Sequence, residues 1–95
     1  APFGSGNREP KFIIKNIKVT KSMVLKNLHV KAFCKTENNQ NLNVISFNSS
    51  ENIIGTYLLN PKNKMFDFAG RLSFNEWNGK KEVQFILDDL ALATN

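Results

Sequence analysis

Ninety-five residues and 10.8 kDa hold one small domain with one modest core. Hydrophobic residues make up 41% and charged residues 22%, an ordinary balance for a globular chain and one that argues against disorder. Thirteen Lys and Arg against eight Asp and Glu leave a charge of +5, which together with eight Phe, one Trp and one Tyr is compatible with a nucleic-acid partner. Charge alone is weakly specific, because many small domains are basic for solubility. The longest apolar run is four residues, at 90–93, far below the roughly 20 that span a bilayer. No basic stretch followed by an apolar run marks a signal peptide, so a cytoplasmic monomer without a membrane partner is expected. One cysteine, Cys34, and one histidine, His29, exclude an internal disulfide framework, a thiolate zinc cluster and a His-rich metal site. Neither a catalytic nor a metal-ligating set is expected.

Residues 1–10 hold two of the three prolines and two of the five glycines and read as a linker, with residues 11–95 as the domain. Residues 12–19 are β-branched and partly alternating and predict a strand, with a turn or bend near Lys21 and Ser22. Residues 28–35 alternate strictly. Leu28, Val30, Ala32 and Cys34 share one face, suited to a tightly curved interior, and His29, Lys31, Phe33 and Lys35 share the other. The polar stretch 37–41 predicts a hairpin loop, and residues 42–47 a third strand. Ser49 and Ser50 offer an N-cap for a short helix in which Ile53, Ile54, Tyr57 and Leu58 recur at helical spacing. The turn residues at 60–63 stop it.

Asn78-Gly79 is a strong two-residue hairpin signal of type I′. Centring a hairpin there places Trp77 opposite Lys80, Glu76 opposite Lys81, Phe74 opposite Val83 and Leu72 opposite Phe85. Large apolar residues then meet on one face, while Arg71 with Ile86, Ser73 with Gln84 and Asn75 with Glu82 meet on the other. A one-residue slip destroys that match. Three strands, a short helix and two strands make an all-β chain in the order of an OB-fold, a five-stranded barrel with its helix between strands three and four.

Three stretches carry a family resemblance. Residues 2–10, Pro-Phe-Gly-Ser-Gly-Asn-Arg-Glu-Pro, resemble the PFGxGNPEP segment of RecJ-type single-stranded-DNA exonucleases, with Arg8 in place of the usual proline. Residues 70–80, Gly-Arg-Leu-Ser-Phe-Asn-Glu-Trp-Asn-Gly-Lys, resemble the family's GRLxxNEWNG hairpin, and residues 83–90 continue it. The resemblance implies an OB-fold domain that follows a catalytic core. In the family, Asp- and His-rich motifs of that core bind two manganese or magnesium ions, and none of those motifs is in this sequence. It further implies a non-catalytic piece of a 5′→3′ single-stranded-DNA exonuclease of repair and recombination, partnered by single-stranded DNA and by its own upstream domains.

OB-folds bind single strands with cations on phosphates and aromatic rings on bases. On that ground His29, Lys31, Phe33 and Lys35 are the first candidates, against the plainer reading of a solvated strand face. Trp77, Lys80 and Lys81 at the hairpin tip are next, with a Trp covering its own turn and a Glu76–Lys81 pair as the structural alternative. Arg71 is either a phosphate ligand or a partner of Asp88. Asp88 and Asp89 point to opposite sides of a strand and do not make a shared metal site. Cys34 reads as a small core residue. Gly4 and Gly6 do not follow a strand or open a helix, so they are not a phosphate loop. Two other functions stay open: a barrel that docks the nuclease core or a replication partner, and a free-standing RNA-binding OB domain.

Overall fold

A computed structural model describes residues 11–94, apart from the side chain of Trp77. The linker expected at residues 1–10, with Gly4 and Gly6, lies outside the described residues. Five strands and one helix follow in the expected order: β1 (Phe12–Leu25), β2 (His29–Lys35), β3 (Asn41–Ser46), α1 (Ile53–Leu59), β4 (Met65–Trp77) and β5 (Lys80–Leu92). The strands close into a barrel in the order β1-β2-β3-β5-β4, with β4 returning to β1. Among the described strands only β3 and β5 pair in parallel, through Val44 with Phe85 and Ile45 with Ile86. This is the OB-fold barrel with one short helix.

β1 does not stop near Lys21 but continues through it to Leu25. Instead of a turn there are two register shifts, one between Ile14 and Ile17 and one between Val19 and Lys21. Each bends the strand, so that its first half pairs with β4 and its second half with β2. Asn16 supplies a positive φ of 59° at the first irregularity, and its backbone N–H donates to Asp67 Oδ1 at 3.0 Å. At the second, Thr20 Oγ1 donates to the carbonyl of Phe33 at 2.7 Å. Leu28, expected inside the barrel on β2, lies in the turn before it and is 45% exposed. Lys26 and Asn27 take positive φ there, and the Leu28 N–H closes the turn onto the Leu25 carbonyl at 3.0 Å.

The inward residues of β2 are as expected: Val30, Ala32 and Cys34 are buried. They meet Ile17, Val19, Val44, Leu58, Phe66, Phe68, Phe85 and Leu87 in one core. Phe66, Phe68 and Phe85 form a chain of rings with centroids 6.3 and 6.4 Å apart. Fully burying each such side chain contributes about 1.5–3 kcal/mol.

The helix closes one end of the barrel with Leu58, while Ile53, expected on the same apolar face, points outward at 68% exposure. Asn52 caps it in place of Ser49 or Ser50, its Oδ1 accepting from the Gly55 N–H at 3.0 Å. Ser49 is instead buried, its hydroxyl 2.5 Å from that of Ser46. Gly55 presses so close to the Ser49 carbonyl that no Cβ would fit.

The β4–β5 hairpin matches the expected register pair by pair from Leu72–Phe85 to Trp77–Lys80. Asn78 and Gly79 take φ of 52° and 80°, as a type I′ turn requires. β1 reaches only as far as Gly70 on β4, so residues 71–84 leave the barrel as a two-stranded ribbon. The apolar face of that ribbon is only half buried, not wholly as expected. Phe85 is fully buried, but Phe74 is 73% and Val83 47% exposed, because no described element faces them beyond the rim.

Candidate nucleic-acid interface

Paired residues of neighbouring strands lie on the same side of a sheet. The register therefore assembles the outer face of β1, β2 and β3 in three rows. Lys18, Lys35 and Asn41 form one row, Lys21, Phe33 and Asn43 the next, and Met23, Lys31 and Ile45 the third. Rows two residues apart along a strand are separated by about 6.7 Å. His29 stands at the end of the same side of β2, opposite Leu25.

Lys31, Phe33 and Lys35 are brought together as the alternation predicted. Two further lysines, Lys18 and Lys21, join them from β1. Sequence reasoning missed both, because their place depends on the register shift around Thr20. Phe33 is half-buried, with the ammonium of Lys31 5.3 Å from its ring centre. No ion pair among the described residues involves any of these four lysines. The row assignments put no carboxylate on this part of the surface.

His29 sits differently from the lysines. Its Nδ1 accepts the backbone N–H of Asn48 at 3.0 Å, and its ring meets Phe47 edge-on at 5.2 Å. An accepting Nδ1 leaves Nε2 as the donor of a neutral ring. His29 therefore offers a hydrogen bond at this margin and holds the start of β2 to the turn after β3.

Arg71 is engaged elsewhere. Its Nη1 lies 3.3 Å from both carboxylate oxygens of Asp88, which also pairs with Lys11 at 3.5 Å. Asp89 turns away, its Oδ1 accepting from the Leu90 N–H at 2.9 Å. The two neighbouring aspartates thus have separate partners, and no group of three or more metal-ligating side chains occurs among the described residues. Lys80 and Lys81 are exposed on opposite sides of the ribbon. Lys80 follows Ile86, Gln84 and Glu82 on the side continuous with Phe33, whereas Lys81 shares the other side with Phe74 and Val83. The tip therefore does not add both cations to one surface. Trp77 pairs with Lys80 by backbone register, and its side chain is outside the described part. Burial pushes the Cys34 thiol up to about 12, so it stays protonated and is a core residue. No described helix is long and apolar enough to cross a membrane.

Comparison with known proteins agrees with this architecture. The model of the RecJ OB domain matches residues 1–89. The single-stranded-DNA-specific exonuclease RecJ of Bacillus subtilis (strain 168) is 28% identical over 95 residues, a match that covers 98% of this chain. The chain spans only 12% of the length of that relative. With a closed five-stranded barrel, the hairpin register and a family match over nearly its whole length, the chain belongs to the RecJ OB domain family.

Proposed function

We propose that the outer face of β1, β2 and β3 holds single-stranded DNA for a RecJ-like exonuclease acting in repair and recombination. The observation that carries this reading is one aromatic ring, Phe33, among four lysines without ion-pair partners among the described residues. Lysines neutralise phosphates and release counterions, while an aromatic face stacks on any base. A base stacking on Phe33 displaces the Lys31 ammonium toward its own phosphate. His29 adds an Nε2 donor at the margin, and Lys80 extends the surface along the ribbon. Arg71 orders the ribbon base through Asp88 and is secondary to binding. Cleavage, with its manganese or magnesium ions, belongs to a catalytic core outside this chain.

The test is binding of labelled single-stranded DNA by fluorescence anisotropy at several salt concentrations. Replacing Lys31 and Lys35 together should weaken binding alike for all sequences and lower the salt slope by roughly 0.7 for each phosphate no longer neutralised. Phe33→Ala should weaken it by about 1–3 kcal/mol with little change in slope. Equal binding by wild type and both variants would place the DNA elsewhere. RNA of the same sequence is the control for an RNA-binding domain, since only RNA offers the 2′-hydroxyl. Shortening of the labelled strand by this chain with manganese or magnesium added would refute the assignment of chemistry to another domain.

A second role is favoured by the ribbon. The exposed Phe74 and Val83 pair supports docking against the rest of the nuclease, on a side of the hairpin distinct from the DNA-binding side.

A further inference from the structure

The outer surface is chemically divided across the strands, and the division says which way a bound strand would turn. β1 and β2 present Lys18, Lys21, Lys31 and Lys35. β3, directly beside them, presents the neutral amides of Asn41 and Asn43. Beyond β3, the parallel pairing of Ile45 with Ile86 puts the outward side of β5 on the same surface. Gln84 and Glu82 follow Ile86 there by alternation, opposite Ser73 and Asn75 of β4. Crossing the sheet from β1 to β4 along the row of Phe33 thus passes from Lys21, over the aromatic ring, to the amides of Asn43 and Gln84 and the hydroxyl of Ser73, flanked on the β5–β4 side by the Arg71–Asp88 pair, Glu82 and Lys80. No hydrogen bond among the described residues engages the side-chain amides of Asn41, Asn43 or Gln84.

A nucleic-acid strand has the same division. Its phosphates require cations and are repelled by a carboxylate such as Glu82. Its base edges require neutral donors and acceptors, which an amide supplies in both kinds at once. We infer that the strand lies lengthwise along β1 and β2, phosphates on the four lysines, with its bases turned across Phe33 toward Asn41, Asn43 and Gln84. Asn43, next to Phe33 in the same row, is placed to meet the edge of the base stacked on that ring. The inference rests on the reading of this face as a DNA site and adds the direction of the bases and the residues that meet them.

The experiment compares two probes: a twelve-nucleotide strand carrying bases, and an abasic strand of equal length and charge. Three proteins are measured at low salt: wild type, Lys18→Ala with Lys21→Ala, and Asn41→Ala with Asn43→Ala. All four positions are exposed, so the fold should survive, and thermal unfolding checks that it does. The lysine variant should weaken both probes by the same factor. The asparagine variant should weaken the base-bearing strand by about two- to ten-fold, the worth of one or two neutral hydrogen bonds, and leave the abasic strand unchanged. An asparagine variant that binds both probes like wild type, or that weakens both equally, overturns the orientation while leaving the DNA site standing. Wild type that binds neither probe overturns the DNA site, and the orientation with it.

Discussion

Phe85 and Phe74 lie on the same side of one hairpin, eleven residues apart in the chain, yet one is fully buried and the other is 73% exposed. The barrel and its ribbon share strands, register and alternation and differ only in what stands opposite. Phe85 has β3 beside it and stacks on Phe68 within the core. Phe74 is past Gly70, where β1 ends its pairing with β4, and nothing described covers it. Alternation specifies which side chains share a face; it takes a second wall to make that face a core.

The sharpest way to break the comparison is to truncate both rings. Phe85→Ala should lower stability by about 3–5 kcal/mol, and Phe74→Ala should change it by no more than about 0.5 kcal/mol. Urea unfolding reads both, and a large loss at Phe74 would show that the ribbon is packed against something in the free chain. The boundary can be tested at Gly70, where an added Cβ would run into the Ile86 carbonyl and the Phe85 ring. Gly70→Ala should cost about 1–3 kcal/mol.

The barrel interior should also carry a pH signature that the ribbon lacks. The Cys34 thiol titrates near 9 when free and about 12 in the fold. Between those values the unfolded chain releases a proton that the native chain retains. Stability from this group is therefore complete below pH 9 and falls as pH rises toward 12, by up to about 1.4 kcal/mol per pH unit. Cys34→Ala should remove that part of the alkaline slope, measured as unfolding midpoints from pH 8 to 11. A small effect is also expected at the ribbon base. Asp88→Ala breaks partly exposed pairs with Arg71 and Lys11 and should cost about 0–1 kcal/mol, less in high salt.

Local signals were legible where the chemistry is local. Asn78-Gly79 dictated both the turn and the hairpin register, because φ is positive at both positions and the strands leave a two-residue loop in fixed phase. The alternation of residues 29–35 placed Lys31, Phe33 and Lys35 on one surface for the same reason. What stayed hidden depends on partners far away in the chain. Lys18 and Lys21 join the surface of Phe33 only through the β1–β2 pairing, whose phase is set by the irregularity around Thr20, and Asn43 joins it through the β2–β3 pairing. Asn52 displaced Ser49 as the helix cap because Ser49 was drawn into the buried pair with Ser46. The exposure of Phe74 could not be read from an apolar pattern, since the pattern is identical on both sides of the rim.

The left-handed turn positions act on the chain before it folds. Among the described residues, eight that are not glycine take positive φ, and six of them are asparagine: Asn16, Asn27, Asn39, Asn48, Asn63 and Asn78. Asparagine tolerates that conformation better than other residues with a Cβ, though less freely than glycine. Glycine at these six sites would relieve the native backbone, but it would also give the denatured ensemble more conformations to lose on folding, worth about 0.4–1 kcal/mol per site. With asparagine the bends are formed from a stiffer random chain. Summed over six sites, that restraint on the unfolded state is comparable to burying one or two of the barrel's phenylalanine rings, and no side-chain packing in the native fold reveals it.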